Sequence, residues 1–290
     1  MIPLSRVVVV DKPVGPTSFD IVRVARRGFA GRVGHAGTLD PFASGLLLIL
    51  LGQATRASQL LLGMPKEYDL TVQFGAVSTT GDPTGEITPT GARVEAEAVV
   101  AALDGFRGRV RQTVPLTSAV KVGGEALYNR AHRGEAAETP EREVMIYDVT
   151  LLGFDEETQT ARLLALTGSG AYLRVLAQDL GAVTGVGGYA AELRRTRIGR
   201  FSVADALSPG ELSLDRYARC GPGVLDLDEA LAFLPCRELG PDLARLAANG
   251  NKLPLSFRGR FRVHGGERLL GVYEGEADTA KPVVVFPCQA

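Results

Sequence analysis

The sequence predicts an α+β fold with a mixed, mostly antiparallel sheet, followed by a small C-terminal β-barrel. The 290 residues are 45% hydrophobic and 22% charged, so the chain can bury a sizeable core. Strand-like and helix-like segments follow one another without the regular alternation of a parallel sheet, which favours α+β. Beyond residue 240 the pattern changes to one short helix and several short strands, which indicates a separate unit.

Apolar spacing and turn residues predict the elements of the larger unit. Alternation of apolar and polar residues indicates strands, Thr or Ser before an apolar face indicates a helix start, and clustered Gly, Asp and Pro indicate a turn. The predicted elements are a strand at 7–10, a helix beginning at Thr17 or Ser18 and ending at Gly28, a polar glycine-rich loop at 34–45, a strand at 68–76, a turn at 81–85, a helix at 95–104, a hairpin of strands at 144–152 and 161–167, a helix near 173–184 and a strand at 193–203.

The C-terminal unit has its own short pattern. A helix is predicted at 243–248, and the Asn-Gly-Asn sequence at 249–251 indicates a turn. Three β-type runs follow, at 259–264, 268–273 and 282–286. A compact β-barrel fits these lengths.

Several protein classes are excluded by composition. The longest apolar run, 46–51, is far shorter than the roughly 20 residues of a membrane span. The N-terminus lacks the apolar region and cleavage site of a secretion signal, so we expect a cytoplasmic protein. The chain has three cysteines, widely spaced, which give neither a disulfide framework nor a CxxC zinc site. No metal or cofactor is expected.

The net charge of −1 conceals a segregation of charge along the chain. Of the 32 basic residues, 27 are Arg, a residue that pairs bidentately with phosphate. Basic residues concentrate at 107–133 and 194–200, whereas acidic residues concentrate at 135–157. One interpretation is that the basic stretches face a polyanion and the acidic stretch faces solvent. The alternative is an arginine-rich composition on solvated faces.

The loop at 34–45 is the strongest candidate for a reactive site. Asp40 precedes Pro41, which keeps it out of a helix, and His35 lies five residues upstream. A loop carboxylate on a rigid scaffold can act as a nucleophile or a general base. It can equally cap a turn, as Asp before Pro often does. Gly168-Ser169-Gly170 begins like a dinucleotide fingerprint but lacks the third glycine.

Seven collinear motifs resemble the signature of the TruB family of tRNA pseudouridine synthases. They span most of the chain, in an order and spacing that chance does not produce. The motifs are Asp11-Lys12-Pro13-x-Gly15-x-Thr17-Ser18, Gly34-His35-x-Gly37-Thr38-Leu39-Asp40-Pro41-x-Ala43-x-Gly45 followed by Gly52-x-Ala54-Thr55, Lys66-Glu67-Tyr68, Thr80-Gly81-Asp82-x-x-Gly85, Ser118-Ala119-Val120-Lys121-x-x-Gly124-x-x-Leu127-Tyr128, Gly170-x-Tyr172-x-Arg174-x-Leu176-x-x-Asp179-Leu180-Gly181 and Leu193-Arg194-Arg195-Thr196-x-x-x-Gly199.

The resemblance implies an activity that needs no cofactor or metal. Members of the family flip uridine 55 out of the T loop of tRNA, detach the base, rotate it and re-attach it through carbon 5. By resemblance, Asp40 is the essential aspartate and Arg174 the arginine that pairs with it and keeps it ionised. Tyr68 matches the tyrosine that stacks on the flipped base. Whether the aspartate attacks the sugar or the base stays open.

Further residues are expected to contact the substrate. Tyr172 and Leu176 would line the pocket, with core packing as the alternative, and His35 would help to hold or replace the displaced base. The remaining substrate-binding candidates are Lys12, Gly37, Thr38, Lys121, Tyr128, Arg194 and Arg197. One departure from the family pattern is Thr117, where a tyrosine commonly precedes the Ser-Ala pair.

The resemblance also implies the domain organisation and the partners. Residues 1–238 would form the catalytic domain, with a thumb-like RNA-binding insertion at about 107–140, and residues 239–290 a PUA-like RNA-binding domain. The expected partner is tRNA, through its T stem-loop and its acceptor stem, with no membrane and no obligatory protein partner, for a monomer. Two alternatives remain: a tRNA-folding chaperone without turnover, and a related synthase acting on another RNA.

Overall fold

A computed structural model describes residues 4–287, apart from 119, 128–129, 131–132, 134 and 136–138. No helix in these ranges is long and apolar enough to cross a membrane. The strands are β1 (Arg6–Lys12), β2 (Val33–Ala36), β3 (Ser44–Leu51), β4 (Lys66–Phe74), β5 (Ala76–Ser78), β6 (Ile87–Pro89), β7 (Gly108–Thr113), β8 (Lys121–Val122), β9 (Glu125–Ala126), β10 (Glu141–Asp155), β11 (Thr160–Thr167), β12 (Gly188–Ile198), β13 (Phe201–Ser202), β14 (Val224–Asp226), β15 (Cys236–Glu238), β16 (Gly259–Gly265), β17 (Arg268–Glu276) and β18 (Thr279–Val285).

Helices are fewer than strands along the described part of the chain. They are α1 (Ser18–Arg27), α2 (Ser58–Leu62), α3 (Ala96–Leu103), α4 (Leu173–Val183), α5 (Leu214–Tyr217), α6 (Leu227–Ala230) and α7 (Pro241–Ala248), with 3-10 turns at Gly52–Ala57, Asp104–Phe106, Val203–Asp205 and Pro209–Glu211. The predicted start of α1 is confirmed: Thr17 caps it in a capping box with Asp20.

The main sheet is mixed and mostly antiparallel, as predicted. Ten described strands belong to it, in the order β14-β1-β3-β12-β4-β11-β10-β7, with β2 on β3 and β13 on β12. Neighbours run antiparallel except β3 and β12, which are parallel and pair Ser44 with Arg194 and Gly45 with Arg195. That parallel contact brings the segment after β2 next to β12, and the site described below is built there.

The core forms where the apolar pattern predicts it. Residues 46–51 of β3 are fully buried on both faces, as expected for a continuous apolar run in the middle of a sheet. β4 alternates, so Tyr68 and Leu70 point into a core shared with Leu173 and Leu176 of α4, while Asp69 lies on the opposite face. α1 packs Ile21 and its apolar neighbours against β1 and β3.

The expectation of an unbroken loop over 34–45 is wrong at its start. Residues 33–36 form strand β2, which pairs with β3 and sets His35 opposite Ile49. The edge of the apolar strand β3 offers unpaired backbone groups, and ladder pairing satisfies them. The loop proper is therefore shorter, from Gly37 to Ala43, and is anchored by a strand on each side.

The basic and acidic stretches do not separate onto different faces. β7 and β10 are adjacent and antiparallel, so the basic residues of 107–111 lie beside acidic residues of 141–148. Arg107 pairs with Asp148 at 3.1 Å, and Arg109 pairs with Glu143 at 3.2 Å. The idea that 107–133 presents free positive charge while 135–157 faces away is therefore corrected: over these strands the two stretches neutralise each other.

The C-terminal unit contains a four-stranded sheet in the order β15-β16-β17-β18, with helix α7 packed on it. Val272 and Phe286 pack into the core of the larger unit, beside Leu227 and Leu231. Asp228 accepts from Arg262 at 2.5 Å and lies 2.8 Å from His264 Nε2. The two units thus share an apolar and ionic contact. Closure of this sheet into a barrel remains a prediction.

Candidate active site

The loop that carries Asp40 is fixed by the segment that precedes helix α1. The Ser18 hydroxyl donates to Leu39 O at 3.0 Å and accepts from Leu39 N at 2.8 Å. Gly15 N donates to Pro41 O at 2.8 Å, and its φ of +108° is one that glycine adopts without strain. The buried Lys12 ammonium donates to Pro13 O and Pro16 O, both at 2.9 Å, and shapes this turn. Asp40 is therefore held from both neighbouring residues.

A buried arginine supports the same loop from below. Arg195, 1% exposed, donates through Nε to Leu46 O at 2.7 Å and through Nη2 to Gly37 O at 2.9 Å. Gly45 has no room for a Cβ, which would lie 2.3 Å from Arg195 O. The close approach of β3 and β12 at this glycine thus delivers the guanidinium to the loop.

We expect Arg195→Met to lower the free energy of unfolding by about 2–4 kcal/mol, because it leaves buried carbonyls without donors. The matched control is Arg194→Met. Arg194 is 42% exposed and pairs with Asp11 at 2.7 Å, so its loss is expected to cost less than about 1 kcal/mol. Urea unfolding of both variants measures the difference. Equal midpoints for the two variants would contradict the supporting role of Arg195.

Arg174, the second residue of helix α4, is the centre of the site. Its side chain is 3% exposed, and its Nε lies 2.9 Å from Oδ2 of Asp40, whose side chain is 31% exposed. The contact is a close ion pair. The Nη1 atom lies 3.2 Å from Asp82 Oδ2 and donates to Thr80 O at 2.9 Å. One guanidinium therefore links two carboxylates.

Asp82 is itself locked in the turn that follows β5. Its Oδ1 accepts from Thr80 Oγ1 at 2.8 Å and from Thr84 N at 2.9 Å, and its backbone carbonyl accepts from Ser78 Oγ at 2.6 Å. Gly85 has no room for a Cβ, which would lie 2.5 Å from Thr80 Oγ1. The predicted 81–85 turn is thus a rigid support that presents Oδ2 to Arg174.

Burial and charge act in opposite directions on Asp40. Burial raises the pKa of the Asp40 carboxyl above its ordinary 3.8; the Arg174 guanidinium opposes this, and the Asp82 carboxylate adds to it. Burial also lowers the pKa of Lys12 to about 8, partly offset by Asp40. The net effect is a partly exposed carboxyl that is more basic than a free aspartate, which suits proton transfer or nucleophilic attack.

A cavity of about 880 Å³ begins at the residues that follow Asp40 and Asp82, although Asp40, Asp82 and Arg174 themselves do not line it. It is bordered by Pro41 and Phe42, which follow Asp40, and by Pro83 and Thr84, which follow Asp82. Its sheet wall includes Arg162, which forms an ion pair with Asp69 across β4 and β11. Asp69 and Thr71 on this wall lie on the face of β4 opposite Tyr68, so the cavity extends from the Asp40 loop along the other side of the sheet.

The structure places the predicted aromatic and apolar residues around the same point. Tyr68 is 7% exposed and packs in the core cluster that also contains Leu39 and Phe42, on either side of Asp40 and Pro41. Tyr172 is half-buried and directly precedes α4. Leu176 is fully buried in that cluster. This burial corresponds to core packing, the alternative to a role in lining the pocket.

The remaining residues predicted to bind the substrate differ in how exposed they are. His35 Nδ1 is buried without a hydrogen-bond partner in the described part of the chain, and burial lowers the pKa of His35 below 6.5. Thr38 and Arg197 are exposed, and Gly37 is half-buried. Tyr128 and the side chain of Lys121 lie outside the part of the chain that is described.

Four functional candidates escape sequence reasoning: Asp82, Arg195, Thr117 and Gln112. Asp82 and Arg195 lie in quoted motifs, and the alternation of β12 could have placed Arg195 inward beside Leu193. Thr117 and Gln112 touch Arg174 and Tyr172, about sixty residues away along the chain. No local pattern predicts such pairs.

Comparisons with known proteins show which family the chain resembles. Residues 26–173 match the family model for "TruB family pseudouridylate synthase (N terminal domain)". The chain is 38% identical to the tRNA pseudouridine synthase B of Thermobifida fusca, over 97% of this chain and 98% of that protein. It is also 38% identical to the tRNA pseudouridine synthase B of Mycobacterium avium, over 96% and 91%.

Structural similarity extends to a more distant protein. The fold matches a chain of the crystal structure of a Cbf5-Nop10-Gar1 complex with a TM-score of 0.73 and 23% identity, covering 98% of this chain and 84% of that one. At this identity the match supports the fold alone. With the family match and the close sequence relatives, the conclusion is direct: the chain belongs to the TruB family of pseudouridylate synthases.

Proposed function

We propose that this enzyme converts uridine 55 in the T loop of tRNA to pseudouridine. It isomerises a tRNA uridine, and the observation that carries the assignment to a site is the linked set Asp40, Arg174 and Asp82. Such a set holds a partly exposed carboxylate at a fixed place, as a reaction on a flipped nucleotide requires.

The reaction balances without a co-reactant. The bond from ribose C1′ to N1 of the base breaks, a bond from C1′ to C5 forms, the proton on C5 leaves and N1 gains a proton. Asp40 breaks and re-forms the link to the ribose, acting on the sugar or on the base, while Arg174 keeps it aimed. Tyr68 stacks on the detached base beside C5. His35, whose buried Nδ1 has no hydrogen-bond partner among the described residues, helps to hold or replace the displaced base.

The RNA contacts are proposed from exposure where the side chain is described and from the family resemblance elsewhere. We assign residues 1–238 to catalysis and residues 239–290 to a PUA-like unit that binds the acceptor stem. Arg197 and Thr38 are exposed, and Gly37, Tyr172 and Arg194 are partly so; we assign these five to substrate binding. Lys121 and Tyr128 are assigned by resemblance, whereas the buried Lys12 and Leu176 shape and pack the site. The enzyme acts as a monomer in the cytoplasm, where its tRNA substrate is found.

Mapping of pseudouridine by mass spectrometry tests the target. An unmodified tRNA transcript and the same transcript with cytidine at position 55 are each incubated with the enzyme. We expect one pseudouridine, at position 55, in the first RNA and none in the second. Tight binding without product would favour a chaperone, and product at another uridine would favour a synthase of different specificity.

The pH dependence of the single-turnover rate reports on Asp40. If the carboxylate is the active form, the rate falls as the pH falls through the Asp40 pKa, which burial places above 3.8. Asp82→Asn removes a charge that raises this pKa, so its acid limb is expected at lower pH. A limb that moves to higher pH in Asp82→Asn would contradict this electrostatic account.

A further inference from the structure

The insertion between β7 and β10 leaves the sheet close to Arg174. Thr113 pairs with Glu141 at the end of the two strands, and Val114 N donates to Pro140 O at 3.0 Å. These contacts fasten both ends of the insertion at its root. Thr117 follows three residues after Val114 and so lies close to this root.

Gln112, the last buried residue before the root, holds the start of helix α4. Its Nε2 donates to Tyr172 O at 3.1 Å, and its Oε1 accepts from Tyr172 N at 2.9 Å. A single amide thereby satisfies both backbone groups of the residue before the helix. These two hydrogen bonds hold the end of β7 at a fixed position relative to the N-terminus of α4.

Thr117 connects the same segment to the guanidinium of Arg174. Its hydroxyl accepts from Arg174 Nη1 at 2.8 Å, compared with 2.9 Å for Thr80 O and 3.2 Å for Asp82 Oδ2. Nη1 carries two hydrogens and faces three acceptors, so the Thr117 hydroxyl competes with the other two acceptors for these hydrogens and influences the orientation of the guanidinium. Rotation of the guanidinium toward Thr117 or away from it moves Nε relative to Asp40.

We propose that Thr117 is a positioning residue, whose hydroxyl orients Arg174 and so ties the root of the insertion to the carboxylate of Asp40. This rests on the proposed roles of Asp40 and Arg174. The hydroxyl contact exists because this chain has Thr117 where a tyrosine commonly precedes the Ser-Ala pair in the family. Thr117 is exposed, so its replacement leaves the core unchanged.

Single-turnover isomerisation at saturating tRNA, with tRNA affinity measured separately by filter binding, tests the proposal. Thr117→Val keeps the shape and removes the hydroxyl; we expect a rate constant about tenfold lower with unchanged affinity, the scale for one hydrogen bond to a charged group. Thr117→Ser restores most of the rate. Thr113→Val, the same exchange on an exposed β7 residue that does not contact Arg174, is the matched control.

Three results would overturn the proposal: a wild-type rate for Thr117→Val, equal losses in Thr117→Val and Thr117→Ser, or weaker tRNA binding at an unchanged rate constant. The last result would make Thr117 an RNA contact. Arg174→Lys is assayed alongside, because a wild-type rate in that variant refutes the proposed site itself, whatever Thr117 does.

Discussion

Asp40→Asn is expected to lower the single-turnover rate by about 10⁴-fold or more, the scale for losing a nucleophile or general base. The amide has the shape of the carboxylate but neither its charge nor its basicity. Because the side chain is 31% exposed and its neighbours Leu39 and Pro41 are held through their backbones, folding is expected to survive. Rates are measured at saturating tRNA, and affinity by filter binding.

Asp228→Asn is the control for this variant. Asp228 is 39% exposed and also pairs with an arginine, Arg262, but at the contact with the C-terminal unit. We expect its rate at saturating tRNA to stay within about twofold of the wild type, since a removed surface pair perturbs little beyond its own contact. Comparable losses in the two variants would remove the special role of Asp40.

Arg174→Lys is expected to lower the rate by about 10²–10³-fold although the charge is kept. A lysine ammonium is one donor centre and cannot reach Asp40, Asp82 and Thr80 O together, as the forked guanidinium does. Misplacing a reacting group by about 1 Å can cost about 10²-fold.

Arg174→Met separates charge from geometry. It leaves the nearly buried Asp82 carboxylate and the Asp40 carboxylate without their shared cation. We therefore expect the free energy of unfolding to fall by about 3–5 kcal/mol. Thermal and urea unfolding measure this. Unchanged stability in Arg174→Met, or a wild-type rate in Arg174→Lys, would contradict the role of Arg174 as the link between two acids.

Sequence patterns predict most of the fold because most elements are locally encoded. The capped helix at Thr17, the alternation of β4 and the hairpin of β10 and β11 each depend on residues close in the chain. The short strand β2 escapes prediction because it exists through pairing with β3. The ion pair between Arg109 and Glu143 is not predicted either, because the insertion separates the two residues in the chain.

The motifs predict Asp40, Arg174 and Tyr68 as site residues, whereas the residues that support them are not predicted. The structure pairs Asp40 with Arg174 and packs Tyr68 in a cluster with Leu39 and Phe42. Asp82 and Arg195 lie in the motifs, but their supporting contacts, like that of Thr117, join segments distant in the chain, so the motifs do not indicate what these residues do. The raised pKa of Asp40 is likewise a consequence of packing, which a sequence does not display.

Tritium release from tRNA labelled at carbon 5 of uridine 55 alone shows whether Asp40 carries out the isomerisation, because loss of that hydrogen accompanies the new bond to the ribose. We expect the wild-type enzyme to release one tritium per tRNA in the presence of EDTA with nothing else added, and Asp40→Asn to release almost none. Equal release by Asp40→Asn, or no release by the wild type while tRNA is bound, would contradict this expectation.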